Sequence, residues 1–429
     1  MIPVAVLRCL TLAALLAALP VRGLLAADVA AGARSLDIAE ALQLARDRGR
    51  EVLLARRGVE LAEADRVVAR ARPNPQISLG TSAVDPRRPG PGSLADKPFD
   101  TVLQLSQLLE RGGKRELRDA VAGAALAAAR EEAAEALRQH LLATSLAFTD
   151  LLQAQARVQV ADDSLALLAR LVEAARLRLR AGDISPADLS RIRVDQLRAE
   201  NDRRAAVADR ERAQQALAYL VGLEAESATL AAREPWPVDD AAVATPDLGP
   251  LVERRPDVRA AARRVESADR ARELARALRV RDVTLAVQVE HYPSQLRENT
   301  LGVGVSAPLF VNYAYEGELR RAEAGRLAAR DGLERARALA LTQLRRAWSD
   351  LTDARDRVAR YDAALLREAT TAADAAEFAY RNGARSVLDL LDARRVLYAT
   401  RIDAVGARAD LARAAAAWRA ASGAAGVAP

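Results

Sequence analysis

The sequence is nearly free of sulfur and imidazole: its 429 residues include one Cys, one Met and two His. Cys9 and Met1 both fall in a leader-like N-terminus, so the remainder forms no disulfide and offers no thiolate or thioether to a soft metal. Cys9 follows Arg8 rather than a small residue, which argues against a lipid-anchored N-terminus. His140 sits among Leu137, Leu141 and Leu142 and reads as a packed residue, while His291 stands beside Tyr292 and reads as an interfacial one. Neither is taken as a metal ligand, and no cofactor is expected. There is no glycine-rich nucleotide loop, no Ser/His/Asp set and no cluster of metal-ligating types, so an enzyme is not expected. Long apolar runs are missing too. After the leader, no stretch is apolar enough for a transmembrane helix.

Aromatics make up only 3% of the chain, whereas Ala, Leu and Arg dominate, with 51% hydrophobic and 28% charged residues. That mixture points to long helices rather than a compact α/β enzyme. The net charge is +6 and the pI about 9.8. The basic residues are interleaved with Asp and Glu and form no concentrated block, which argues against nucleic-acid binding. At the N-terminus Arg8 precedes an uncharged apolar run, Leu10 to Leu19, and small residues follow. This is the pattern of a secretory signal over residues 1–27, cleaved after Ala27 or, at Ala31-Gly32-Ala33, after Ala33. The run is too short to cross a bilayer as a helix; an uncleaved anchor is the other reading.

Self-similarity organises the rest. Arg50-Glu51-Val52 to Ala55 matches Pro256-Asp257-Val258 to Ala261 at an offset of 206, and Arg57, Val59, Ala62, Ala69 and Ala71 meet Arg263, Val265, Ala268, Ala275 and Ala277. Leu105-Ser106 meets Val305-Ser306 at an offset of 200. Gly182, Asp188, Leu189 and Gly222 meet Gly383, Asp389, Leu390 and Gly423 at an offset of 201. The first copy spans 35–222 and the second 247–423. Between them, 223–246 is a linker with Pro235, Pro237 and Pro246, followed by Pro250, which excludes one continuous helix.

Each copy reads in the same order. A helix comes first, Leu36 to Arg72 or Asp257 to Leu278. Two alternating segments follow, then a very long helical stretch, Arg111 to Arg180 or Asn312 to Arg381. A glycine break leads to a closing helix that ends at Gly222 or Gly423, where glycine suits a left-handed cap. A helix of about 70 residues is roughly 100 Å long, which demands a rod, coil or tube. In the alternating segments Leu301, Val303 and Val305 oppose Gly302, Gly304 and Ser306, and Val283, Leu285, Val287 and Val289 oppose Thr284, Ala286, Gln288 and Glu290. Leu103 and Leu105 alternate with Gln104 and Ser106, and Ile77, Leu79 and Ala83 with Ser78, Gly80 and Ser82. Their length, about nine to eleven residues, is that of a membrane-spanning strand, and small or polar inward residues suit a water-filled lumen. A soluble antiparallel sheet packed on helices is the competing reading. Four strands cannot close a barrel, so strands that do span a membrane require several chains to share one.

This pattern resembles the TolC family of outer-membrane efflux proteins. The likeness rests on the duplication, on Arg254-Arg255-Pro256-Asp257-Val258-Arg259-Ala260-Ala261, and on Tyr380-Arg381-Asn382-Gly383 followed by Ser386-Val387-Leu388-Asp389-Leu390-Leu391-Asp392-Ala393. Glu110-Arg111-Gly112-Gly113-Lys114-Arg115 and Ala307-Pro308-Leu309-Phe310-Val311-Asn312 resemble the CzcC-like branch, which serves cation-exporting pumps. The resemblance implies a mainly α fold with a small β-barrel portion, assembled as a homotrimer with a periplasmic α-helical barrel. It implies an outer-membrane location, contact with lipid, a periplasmic adaptor protein and an inner-membrane RND-type pump. Carried over, the adaptor-docking turns are Gly182-Asp183-Ile184-Ser185 and Gly383-Ala384-Arg385-Ser386, and the periplasmic entrance holds Asp389 and Asp392. The first copy keeps Asp188 but has Arg191 where the second has Asp392. Girdle aromatics are sparse, namely Phe99, Tyr292 and Phe310, and the Pro/Gly loop Asp85 to Lys97 would face outside. The expected activity is gated passive conduction of divalent heavy-metal cations. Export of organic solutes or of proteins by the same channel stays open, as do a periplasmic adaptor and a structural coiled coil.

Overall fold

The structure, a computed structural model, describes residues 34–82, 100–236, 246–292 and 298–423. The signal segment 1–27, the Pro/Gly loop Asp85 to Lys97, Phe99 and part of the linker lie outside the described residues.

The order of elements repeats. Strand β1 (Arg34–Leu36), helices α1 (Ile38–Arg48) and α2 (Arg50–Arg70), strands β2 (Gln76–Ser82) and β3 (Asp100–Leu109), and helices α3 (Lys114–Ala181) and α4 (Pro186–Val221) make the first copy. Strand β4 (Leu230–Ala232) follows and pairs in parallel with β1. Helices α5 (Leu248–Arg254) and α6 (Pro256–Ala277), strands β5 (Val283–Tyr292) and β6 (Glu298–Ser306), and helices α7 (Glu316–Arg360), α8 (Leu366–Arg381) and α9 (Val387–Ser422) make the second. The 68 residues of α3 give a rod about 100 Å long. Among the described residues, no helix is long and apolar enough to cross a membrane.

The sequence predicts one helix over Leu36 to Arg72; the structure divides it at Gly49, which takes extended backbone (φ −57°, ψ 123°). Part of the cause lies on α3. A Cβ at Gly49 would stand 2.3 Å from His140 Nε2, and the imidazole is buried with Nε2 3.0 Å from the Leu220 carbonyl oxygen. The same Cβ would stand 2.4 Å from the Ala45 carbonyl oxygen, so the distant helix and the end of α1 together reserve this break for glycine, and local propensity reports only part of it. The second copy solves the same corner in reverse. Ala340 stands 200 residues after His140, and the break between α5 and α6 carries Arg255, whose side chain is 1% exposed. Arg255 donates to Asp257 at 2.9 and 2.7 Å and to Gln343 Oε1 at 2.7 Å. Burial pushes the Asp257 carboxyl up, but the hydrogen bond and charge of Arg255 outweigh it and hold the group below its ordinary value.

The four alternating segments form one antiparallel sheet in the order β2-β3-β5-β6; β3, β5 and β6 have 10, 10 and 9 residues, while β2 has seven among the described residues. Register aligns Leu79, Leu103, Val289 and Leu301 in one row and Ile77, Leu105, Val287 and Val303 in the next. These residues are exposed, Val303 to 84%. The opposite face sets Ser78, Gln104, Gln288 and Gly302 side by side. There a Cβ on Gly302 would come 2.9 Å from Gln288 Cγ, so glycine makes room for the amide to lie flat. At the helix end of β6, Phe310 and Tyr315 meet edge to face at 5.3 Å, with Tyr313 6.2 Å from Tyr315 and the Arg281 guanidinium 5.6 Å from the Phe310 ring. The sequence singles out only Phe310 of this group, because the three aromatics gather through a non-helical segment with no period.

Away from the sheet, α3 packs against α2, α4, α6 and α9, and α7 against α6 and α9. Each copy has its own central core. Leu36, Phe148, Leu151, Leu217 and Leu230 fill the first. Val258, Leu344, Leu351 and Trp418 fill the second, where Trp348 and Trp418 lie 5.1 Å apart. A third core at the far end joins both copies: Leu168, Val172, Ile192, Tyr380, Leu390 and Leu391.

Candidate functional site

The two helical turns that the sequence singles out lie beyond this third core. Gly182 and Gly383 both adopt left-handed backbone, φ 82° and 72°. No atom lies within 4 Å of a Cβ built on either one, so glycine is needed here for its backbone and not for space. Each closes a Schellman turn. Asp183 N donates to Arg178 O at 2.9 Å and Gly182 N to Leu179 O at 3.1 Å; Ala384 N donates to Ala379 O at 2.8 Å and Gly383 N to Tyr380 O at 3.1 Å. Asp183, Ser185, Ala384, Arg385 and Ser386 are exposed. Ile184 is half-buried and packs on the third core.

A capping box opens the next helix in each copy. Ser185 Oγ accepts from Asp188 N at 3.1 Å and donates to Asp188 Oδ2 at 2.8 Å. Ser386 does the same with Asp389, at 3.2 and 2.9 Å. Hydrogen bonds from the Ser386 side chain, then from its backbone N–H, hold the Asp389 carboxyl below the ordinary carboxylate range. Asp389 is thus a helix cap as well as an acidic group near the turn. Asp392 lies three residues on and is exposed. In the first copy Arg191 Nη1 stands 3.4 Å from Asp188 Oδ1, so the corresponding position carries an opposite charge. Among the described residues, no group of three or more His, Cys, Asp and Glu could hold a metal within one chain.

The structure adds a contact that the sequence reading missed. Asp195 on α4 is buried, and both of its carboxylate oxygens accept from Arg395 Nη2 on α9, at 2.7 and 2.8 Å. This pair ties the first hairpin to the second. Beside it lies a cavity of about 280 Å³ between α3, α4 and α9, lined in part by Leu167, Leu168, Ala199, Leu391 and Tyr398. Nearby, the Arg178 guanidinium lies 4.9 Å from the centre of the Tyr380 ring, again from one hairpin to the other. A signal for Asp195 did exist: it shares the buried stripe of α4 with Ile192 and Ala199, at spacings of three and four. His140 is packed, as expected. His291 Nδ1 faces Asn299 Oδ1 across β5 and β6 at 2.8 Å.

Comparison with known proteins places this arrangement. The model of the family described as outer membrane efflux protein matches residues 41–223 and 249–424. The cobalt-zinc-cadmium resistance protein CzcC of Cupriavidus metallidurans is 29% identical over 387 residues, covering 86% of each chain. The outer membrane protein VceC of Vibrio cholerae superimposes with a TM-score of 0.73 at 20% identity, over 90% of this chain and 96% of that one. The CmeC outer membrane channel of Campylobacter jejuni gives a TM-score of 0.74 at 14% identity, over 90% and 85%.

Proposed function

The chain belongs to the outer membrane efflux protein family, and from that premise we propose that it is the channel of a tripartite assembly that expels divalent heavy-metal cations. Its place is the outer membrane, with the helices extending into the periplasm, and it is a passive channel, not an enzyme.

The observation that carries the reading is the uncovered sheet. Two apolar rows cross all four strands and face away from the rest of the chain. In water such a face is an aggregation hazard; in lipid it is the outer wall of a barrel. The sheet ends in two open edges, β2 and β6. In hydrocarbon each unpaired backbone group there costs several kcal/mol. Joining β2 of one chain to β6 of the next removes both edges, and three chains make a twelve-stranded barrel over a twelve-helix tube. Closure asks for several chains, and membership of the family supports three. At the other end the turns Gly182 to Ser185 and Gly383 to Ser386 are the docking points for a periplasmic adaptor, coupled to an inner-membrane RND-type pump. Around the threefold axis Asp389 and Asp392 would place six carboxylates, a ring that attracts cations. Likeness to a relative named for cobalt, zinc and cadmium resistance supports the choice of cargo.

A strain lacking the chain should become selectively sensitive to zinc, cobalt and cadmium salts when tested beside dyes, detergents and antibiotics. Sensitivity to the organic compounds alone would discard the metal cargo and keep the channel. In planar bilayers the purified protein should pass current, and Asp389→Ala with Asp392→Ala should lower its cation selectivity. Absence of current would remove the channel reading, and unaltered selectivity would remove the acidic ring.

A further inference from the structure

The two copies are out of register by one residue, and the structure shows where. In the upper half of the long helices the buried positions correspond at an offset of 200: His140 with Ala340, Thr144 with Leu344, Ala147 with Ala347, Leu151 with Leu351 and Ala154 with Ala354. The sequence agrees over this stretch, pairing Phe148 with Trp348, Asp150 with Asp350, Arg157 with Arg357 and Val158 with Val358. In the lower half the offset is 201. Buried Leu168 and Val172 correspond to buried Ala369 and Ala373, Gly182 to Gly383, and the capping pair Ser185 and Asp188 to Ser386 and Asp389. One residue has therefore been added to the second copy between Val358 and Ala369. Within that interval lies the π turn Tyr361–Leu365, where Leu366 N–H reaches back five residues to the Tyr361 carbonyl. Helix α3 has no such turn and runs unbroken through the corresponding level.

A residue added to an α-helix turns everything beyond it by about 100°. A single π turn absorbs the addition and returns the flanks to phase. That is why Ala369 and Ala373 still face inward. The cost is a turn of poorer hydrogen-bond geometry, placed where little packs against it. Among the described residues, none from 355 to 368 is buried, and Ala363, Ala364 and Leu365 are exposed. The first copy does bury Val158 and Ala161 at this level. Side-chain ties to α9 are polar and exposed: Arg408 to Asp362 at 3.0 Å and Arg357 to Asp410 at 2.9 Å. From the π turn to Gly383 is about 27 Å along the helix.

We propose that the π turn is a joint that the first copy lacks, about which the lower part of the second hairpin, with Asp389 and Asp392, bends. The joint is independent of the cargo and of the channel reading, so it is tested on the chain itself. By hydrogen exchange, amides around 361–366 should exchange about tenfold faster than those around 160–165 in the intact protein. Deletion of Ala363 should turn the π turn into regular helix, leave the flanks in phase, keep the thermal unfolding midpoint at or above that of the parent, and abolish the exchange difference. Deletion of Ala372, equally exposed but below the turn, should rotate the tip out of phase and lower the midpoint or prevent folding. If deleting Ala363 is as damaging as deleting Ala372, the register argument fails. If the deletion is tolerated but the two levels exchange alike in the parent, the added residue stands and the joint is refuted.

Discussion

Removing Arg395 should cost more than removing Asp195, although the two share one ion pair. The side chains differ in burial: 8% of Asp195 is exposed, against 53% of Arg395. Taking away one partner of a fully buried pair costs about 3–5 kcal/mol, because the other charge is left uncompensated in a poor solvent. Arg395→Ala creates that situation for Asp195, with two mitigating features. Arg198 Nη1 lies 3.6 Å from the carboxylate, and Arg395, being half-exposed, already shares its charge with water. The expected cost is therefore about 2 kcal/mol. Asp195→Ala leaves Arg395 free to turn into water, and should cost about 1 kcal/mol. The double variant should be no worse than Arg395→Ala alone, which gives a coupling of about 1–2 kcal/mol. Guanidinium unfolding of the detergent-solubilised protein, followed by helical circular dichroism, measures all three. A loss from Asp195→Ala equal to or larger than that from Arg395→Ala would refute the burial argument. A coupling below about 0.5 kcal/mol would show that the pair does not join the hairpins.

Gly49→Ala should destabilise by about 1–3 kcal/mol through overlap with His140 and with the Ala45 carbonyl oxygen, since the backbone angles at Gly49 themselves admit alanine. In a His140→Ala background the cost should fall to the part set by the Ala45 carbonyl oxygen, 2.4 Å from the same Cβ; an equal cost in both backgrounds would mean that the imidazole plays no part. Ser386→Ala should cost about 1 kcal/mol as a lost N-cap. It should also flatten the dependence of stability on pH. Asp389, held low in the folded state by Ser386, contributes stability that is complete above its unfolded value of 3.8 and is lost as pH falls through the lower folded value. Unfolding midpoints at pH 7 and pH 3 would show a smaller difference in Ser386→Ala than in the parent; an unchanged difference would assign the acid loss to other carboxylates.

Features set by neighbours in sequence were legible, and features set by distant contacts were not. The long helices, their glycine ends and the alternating strands follow from period and punctuation, and the structure has them at Lys114–Ala181, Gly182, Gly383 and β5–β6. The break at Gly49 was hidden because one of the two residues that enforce it is on α3. Strands β1 and β4 were hidden because three residues each carry no period. The Asp195–Arg395 tie was half-visible, as a charge in an apolar stripe whose partner lies on another hairpin. The π turn was present in the sequence as a shift in repeat offset from 200 to 201. Only the buried positions on either side show that a bulge, and not a loop, takes up the difference.

The capping boxes also bear on the charge at the proposed entrance. A carboxylate that accepts from a serine N–H and O–H is held in one rotamer, and part of its charge is met by the helix N-terminus. Asp188 and Asp389 are both of this kind, so their negative charge is fixed in place and shared between the copies. The difference between copies comes one turn later. Arg191 stands beside Asp188 and offsets it, whereas Asp392, exposed and outside the capping box, adds to Asp389. The two turns therefore share a backbone but place their charges differently, with Asp183, Asp188 and Arg191 at the first and Arg385, Asp389 and Asp392 at the second. On the channel reading, the pair of carboxylates three residues apart belongs to the second copy alone, and that copy is the one with the added residue above it. The carboxylate pair and the proposed joint would then lie in one hairpin, while the first copy, with its unbroken α3, supplies the surface against which that hairpin rests.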